Sequence, residues 1–330
     1  MNRFVGCYLI FLLLTVTSCR SIDLETAESN TAVPPKATFE LALTLIPPTT
    51  KFMESGLATA VPFNTHTTTP TTMPTPVPLP WSESHILGYS VLGEAIEFIQ
   101  IGQGANPFVI IGAIHGGHEC NTRGLVQGII SRLAAEPSLL PADTSLYALP
   151  VVNPDGCAAG TRTNAHQVDL NRNWDTPNWL ANAEGPAGIR AGSGGQSPFS
   201  EPETMLVRDW LTGLNNQYPQ KQIQVISYHS VVPNTGLVQP GYSQPGQPNP
   251  AAMSMAHTYA TATGYLYSNT WVGNYTITGE FINWANDNGF IVWDVELPDK
   301  NEANTIPVGW SKTHIETNLN GLLAIMAVRP

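Results

Sequence analysis

Charge is scarce in this chain of 330 residues: only 12% are Asp, Glu, Lys or Arg, and 14 basic residues face 25 acidic ones. No basic stripe is present, so nucleic-acid binding lacks its electrostatic footing and no nucleic-acid partner is expected. The formal net charge of −11 identifies no substrate, because acidity of this kind commonly just keeps an exported domain in solution. Cysteine is scarce as well, with four in all. The apolar run Val5 to Val16 is too short to span a bilayer comfortably. No Gly-x-Ser-x-Gly elbow occurs, and Gly192-Ser-Gly-Gly195 sits in a loop rather than after a strand, which removes a serine hydrolase early. Internal repeats are lacking too.

The short apolar run does suit the core of a signal peptide. It ends in Val16-Thr-Ser-Cys19, which resembles the lipobox of bacterial lipoproteins, where the cysteine is lipidated and becomes the new N-terminus. Residues 1–18 are therefore expected to be a lipoprotein signal peptide, with Cys19 carrying the lipid that anchors the protein to the cell membrane. A plain secretory signal with an incidental cysteine is the alternative, and both place the mature protein outside the cytoplasm. Cys7 would leave with the signal, so Cys120 and Cys157 remain in a compartment that permits disulfides. Both follow candidate site loops, but spacing does not give geometry and their pairing stays open. Residues 19–80 read as the anchor and a disordered stalk. The stretch Thr67-Thr-Thr-Pro-Thr-Thr-Met-Pro-Thr-Pro76 cannot bury a core and favours extended conformations.

From residue 81 to 330 the sequence reads as folded. Phe108–Ile114, Leu146–Val152, Ile223–Tyr228 and Phe290–Val295 are near-continuous apolar runs, the pattern of buried strands. Gly93–Ile101 alternates more and predicts a strand nearer an edge. Thr122–Ala135 places Leu125, Val126, Ile129, Ile130 and Leu133 on one helical stripe. A second helix is expected from Ser200 to about Tyr218, with Ser200 as N-cap, Pro202 in the first turn and Glu203 at the capping-box position. Met253–Thr263 and Thr313–Val328 add two more. Strands alternating with helices predict an α/β domain with a mixed, mostly parallel central sheet covered by helices on both faces.

In open sheets of this class, ligands sit beyond the carboxyl ends of the strands. The first apolar run ends in His115-Gly-Gly-His118-Glu119, the third in His229-Ser230 and the fourth in Glu296. Three strands could thus deliver two histidines and two carboxylates to one edge. Two His with one carboxylate is a standard catalytic zinc set, and a further carboxylate near the open position can act as general base.

At these residues the sequence resembles the zinc carboxypeptidases of the carboxypeptidase A type, including their bacterial peptidoglycan-trimming relatives. The resemblance covers nearly all of 81–330. It is carried in order by Gly88-Tyr-Ser-Val-Leu-Gly93, His115 with Glu119, Asn153-Pro-Asp-Gly156, Val168-Asp-Leu-Asn-Arg-Asn-Trp174, Ser227-Tyr-His-Ser230, Tyr275, Ile282-Asn-Trp284 and Glu296-Leu297. It implies a single catalytic domain binding one Zn2+ through His115, Glu119 and His229. The family spacing is His-x-x-Glu, and the loop here is one residue longer. Either the paired glycines absorb the insertion and Glu119 binds, which is the favoured reading, or His118 replaces the carboxylate in a three-histidine site.

The remaining roles follow from the same resemblance. Asp169 would orient the first histidine. Asn171 and Arg172 would hold the substrate's terminal carboxylate, with Tyr275 as a mobile cap and Ser230 beside them. Arg162 would stabilise the oxyanion, a surface arginine being the alternative, and Glu296 would serve as general base. Glu280 and Asp294 fall where the family lines its side-chain pocket, which would then favour a basic or diaminopimelate end. Solvent exposure, or helix capping by Glu280, is the bland alternative. His66, His85, His257 and His314 receive no functional role. The expected protein is a monomeric zinc metallocarboxypeptidase acting on a peptide or murein peptide with a free C-terminal carboxylate. A peptidoglycan-peptide amidase of the same fold, or a non-catalytic peptide-binding lipoprotein, is the alternative.

Overall fold

The computed structural model describes residues 82–244, 247–298 and 312–328. The expected signal peptide, Cys19 and the stalk lie outside the described residues. Among those described, no helix is long and apolar enough to cross a membrane.

The elements run in the order β1 (Ser82–Tyr89), β2 (Ala95–Ile101), β3 (Asn106–Ile111), α1 (Asn121–Ala135), β4 (Thr144–Leu149), α2 (Pro154–Ala159), β5 (Glu184–Gly185), β6 (Gly188–Ile189) and α3 (Pro202–Gln217). Then come β7 (Gln224–Ser230), β8 (Leu237–Pro240), β9 (Tyr242–Gln244), β10 (Gln247–Pro248), α4 (Pro250–Thr263), β11 (Leu266–Tyr267), α5 (Phe281–Asp287), β12 (Ile291–Leu297) and α6 (Lys312–Ala327). Eight strands form one sheet in the order β1-β2-β4-β3-β7-β12-β8-β11. The central pairs β4–β3, β3–β7 and β7–β12 are parallel, while β1–β2, β2–β4 and β12–β8 are antiparallel. The mixed, mostly parallel α/β sheet read from the sequence is the fold observed.

Alternation along the buried strands divides the core in two. One face carries Phe108, Ile110, Ile226, Tyr228, Trp293 and Val295 under α1, α4 and α6. The other carries Val109, Ile111, Val225 and Val292 under α3 and α5, with Trp174 packed among Phe281 and Trp284. On this second face the apolar series gives way near the carboxyl ends to Ser227 and His229 on β7 and to Asp294 and Glu296 on β12. Parallel pairing puts Glu296 opposite His229 and Asp294 opposite Ser227. The period of two thus delivers all four polar side chains to the same face.

The α3 start differs from the reading by caps. Glu201 is the N-cap, with Pro202 in the first turn and no side-chain cap bond. Ser200 Oγ instead donates to Glu201 Oε1 at 2.7 Å, and the buried Glu203 carboxylate accepts from Val91 N and Asn164 Nδ2. Buried carboxylates are claimed by tertiary donors, which outcompete the local capping box.

Candidate active site

β3 and β7 are sheet neighbours whose flanking helices α1 and α3 pack on opposite faces. That arrangement opens a crevice at their carboxyl ends. A cavity of about 360 Å³ lies there. His115, four residues past β3, and His229, at the end of β7, are both 2% exposed, and Glu119 is 4% exposed.

The extra residue in the first loop is absorbed by backbone conformation. Gly117 takes φ +63°, which costs glycine little. Gly116 runs so close to α2 that a Cβ there would sit 2.2 Å from the Gly156 carbonyl carbon. The turn rotates Glu119 inward and leaves His118 exposed at the cavity mouth. Cys120 and Cys157 form a disulfide with 5.5 Å between their Cα atoms, which pins the loop to α2. The pairing that the sequence left open is therefore made.

His115 Nδ1 lies 2.9 Å and His229 Nδ1 3.4 Å from the same oxygen, Glu119 Oε2. The far ring nitrogens are held as well. His115 Nε2 meets Asp169 Oδ1 at 3.0 Å, and His229 Nε2 meets Ser227 Oγ at 2.9 Å and Asp294 Oδ1 at 3.3 Å. One ligand atom from each of His115, Glu119 and His229 fits within a 4.8 Å spread, the one such His/Cys/Asp/Glu group among the described residues. Two imidazole nitrogens and a carboxylate oxygen, with the outer nitrogens fixed by acceptors, suit zinc with an open position. His118 takes no part in this group.

Charge is balanced inside the cluster. Arg162 Nη1 donates to Glu119 Oε1 and its Nε donates to Asp169 Oδ2 at 2.8 Å. Burial opposes ionisation of Glu119, but His115 and Arg162 hold it well below the usual carboxylate range. Asp169 is held low against burial by Arg162 and His115. Burial alone would lower His229, yet Asp294 and Glu119 raise it well above an ordinary imidazole. Glu296, which lines the same cavity, makes no ion pair with a cationic side chain among the described residues. Burial pushes it up to about 8; His229 opposes the rise, while Glu119 and Asp294 add to it.

Across the cavity Arg172 is 1% exposed. Its Nε donates to the Glu184 carbonyl at 2.9 Å and its Nη1 to the Asn171 carbonyl at 2.8 Å. Asn171 Oδ1 accepts from Phe281 N at 2.9 Å, which leaves the amide NH2 end for the cavity. The Tyr275 ring stands 5.9 Å from Arg172 Cζ and 5.4 Å from the Trp271 ring. Glu280 and Asp294 are buried and line the cavity, so neither is a solvent-facing carboxylate. Glu280 stands at the N-cap position of α5, yet its side chain caps nothing there and instead accepts from Asn283 Nδ2 at 2.9 Å. Burial and Asp294 push Glu280 up to about 8. Ser230 reaches Asn121 Oδ1 through its hydroxyl and points its N–H at Glu119 Oε2.

The structure thus gathers every sequence-proposed residue from 115 to 296 around one cavity; Asp169 stands behind His115. Reading the sequence missed Gln239 and Trp271 in the lining and Glu184 behind Arg172. Gln239 is opposite Asp294 on β8, a strand too short to announce itself. Trp271 lies in an irregular segment and Glu184 in the two-residue strand β5, and the spacing of neither carries a signal.

A family model described as zinc carboxypeptidase matches residues 81–315. Over 129 residues the chain is 30% identical to murein peptide amidase A of Escherichia coli K12, covering 36% of this chain and 49% of that protein. The chain therefore spans about half the length of this curated relative. Among solved structures, thrombin activatable fibrinolysis inhibitor aligns with a TM-score of 0.64 at 19% identity, over 76% of this chain and 69% of that one. Carboxypeptidase A of Helicoverpa armigera aligns with a TM-score of 0.59 at 20% identity, over 74% and 68%. At these identities the structures speak for the fold.

Proposed function

The chain belongs to the zinc carboxypeptidase family, and from that premise we propose that it is a zinc-dependent metallocarboxypeptidase that removes the last residue of extracellular peptides. The observation that carries this reading is one cavity with a metal-fitting cradle on one side and the buried Arg172 on the other. An arginine kept out of solvent, with carbonyls holding two of its nitrogens, is pre-organised for a carboxylate.

His115, Glu119 and His229 would hold zinc, which supplies Lewis acidity toward a water and the scissile carbonyl. Glu296, which lines the cavity beside His229, would take the water's proton and pass it to the leaving amine. Arg162 faces the carbonyl oxygen as charge develops there. Arg172, Asn171 and Tyr275 grip the free terminal carboxylate and so set the exopeptidase register.

Two buried carboxylates in the side-chain pocket, Glu280 and Asp294, support a basic or amino-bearing end such as lysine, arginine or diaminopimelate. That pair, with the likeness to murein peptide amidase A, also favours a second reading: cleavage of peptidoglycan peptides by the same site. One assay tests both. Peptides ending in Lys, Phe and Glu, free or amidated, and purified wall fragments are incubated with and without chelator and read by mass spectrometry. The expected result is chelator-sensitive, zinc-restored release from free Lys or diaminopimelate ends. A clear preference for Phe would end the acidic-pocket reading, and equal cleavage of amidated ends would end the carboxypeptidase reading. A zinc content near zero would return the non-catalytic binding protein.

The location we propose is the outer side of the cell membrane, through a lipid on Cys19. The lipobox-like Val16-Thr-Ser-Cys19 supports it, as does a disulfide suited to an oxidising compartment. Cys19→Ala should move the protein from the membrane pellet to the soluble fraction; an unchanged distribution would refute the anchor.

A further inference from the structure

We propose that Glu184 is a positioning residue that latches the Tyr275 loop to Arg172. Its two ends face two different parts of the carboxylate clamp. The main-chain carbonyl accepts from Arg172 Nε at 2.9 Å. The carboxylate oxygen Oε2 accepts from the backbone N–H of Thr276, next to Tyr275, also at 2.9 Å. One residue therefore sets the guanidinium and the tyrosine ring at once, and the ring stands over that guanidinium at 5.9 Å.

Local structure explains why position 184 can do this. Glu184 opens the β5–β6 hairpin, in which Glu184 pairs with Ile189 and Gly185 with Gly188. The tip of that hairpin, Pro186 and Ala187, lines the cavity. The pairing holds the Glu184 backbone at the cavity wall, so its carbonyl is fixed for Arg172 while its half-buried side chain reaches outward. On the other side, Thr270, Val272, Gly273, Asn274 and Thr276 are exposed. Trp271 and Tyr275 pack on each other, and the Tyr275 ring lies over Arg172. Such a segment has little burial of its own to hold it. The carboxylate bond to Thr276 is charge-assisted, and among the described residues it holds the backbone next to the ring.

The consequence is a division of labour. Arg172 and Asn171 would bind a terminal carboxylate in any case, whereas Tyr275 contributes only when its loop is held down. Glu184 would act through that loop on substrate affinity, and not on the proton transfers at Glu296. This proposal rests on the carboxylate-clamp reading above, and its test separates the two.

Glu184→Ala keeps the carbonyl that binds Arg172 and removes only the tie to Thr276. For a free-ended peptide, KM should rise about 3- to 10-fold with kcat within about threefold, the loss expected for one solvent-exposed hydrogen bond. Glu184→Gln keeps an acceptor oxygen and should restore most of the KM. In a Tyr275→Ala background, Glu184→Ala should add nothing further, since the latch then holds no ring. Independently of activity, backbone hydrogen exchange of the 271–276 segment should quicken in Glu184→Ala and not in Glu184→Gln, with protection elsewhere unchanged. Should Glu184→Ala not fold, Glu184→Asp, which shortens the reach, takes its place. Additive KM effects, a parallel loss of kcat without rescue by Gln, or unchanged exchange at 271–276 would each overturn the proposal. If the wild-type enzyme shows no preference for free over amidated ends, the clamp reading falls instead, and the exchange arm still decides the latch.

Discussion

The loop of residues 112–120 and the loop of residues 268–279 border the same cavity and are built in opposite ways. The first is buried apart from Gly117 and His118, pinned by the Cys120–Cys157 disulfide, and stitched by Ala113 N to Thr122 Oγ1 and Gly116 N to the Arg162 carbonyl. The second is exposed along its middle and is tied at its two ends, by Ser268 N to the Val238 carbonyl at one and by Glu184 at Thr276 and Asn178 at Ile277 and Gly279 at the other. Donors that must meet within 4.8 Å tolerate little motion, and the rigid loop carries two of the three candidate ligands. The looser loop carries Tyr275, which in its proposed role as a cap would have to let a substrate in before covering it. On that proposal, rigidity and freedom are sorted by task within one cavity.

The largest break of this contrast belongs to the rigid side. Glu296→Gln should bind zinc as the wild type does and lose about 10²- to 10⁴-fold in kcat, read by metal analysis beside steady-state kinetics. Near-normal turnover would remove Glu296 from the reaction. A smaller effect is expected from Cys120→Ser with Cys157→Ser. Opening that loop should cost about 2–4 kcal/mol, seen as a fall of roughly 5–15 °C in Tm, with weaker zinc retention and unchanged proteolysis at 268–279. Equal loosening of both loops would show that they are not independent.

The smallest effect concerns the pocket between them. Glu280 is pushed from 4.5 to about 8 by burial and by Asp294. A raised carboxyl favours the native state when protonated. Its stabilisation is fully present below the unfolded value and is lost as pH rises through about 8. Glu280→Gln stays neutral, so its Tm should decline by a few degrees less than the wild type between pH 6 and pH 9.5. Matching declines would mean that Glu280 is not desolvated.

Much of this was legible along the chain. The runs that became β3, β4, β7 and β12 were recognisable because strands buried on both faces are continuously apolar, and their polar endings marked His115, His229 and Glu296. The boundaries moved by a few residues: the run Phe108–Ile114 became a strand over Asn106–Ile111, since the chain leaves the sheet before reaching His115. The edge strand β1 and the short β8 went largely unread, because little of their pattern is periodic, whereas the start of α5 after Glu280 was anticipated. At α3 the local cap signal misled, since buried Glu203 had better partners in distant segments.

By itself, then, the sequence determined the mostly parallel α/β core and the residues at strand ends able to hold a metal, which follow from periodicity and from chemistry placed at strand ends. The arginine able to hold a carboxylate was read through the family resemblance. Only the tertiary structure decided that Glu119 and not His118 turns inward, that Cys120 meets Cys157, that Glu280 and Asp294 share one buried pocket, and that Glu184 bridges Arg172 to the Tyr275 loop. Each of these depends on a glycine turn or on partners tens of residues away, and packing, not spacing, sets such distances.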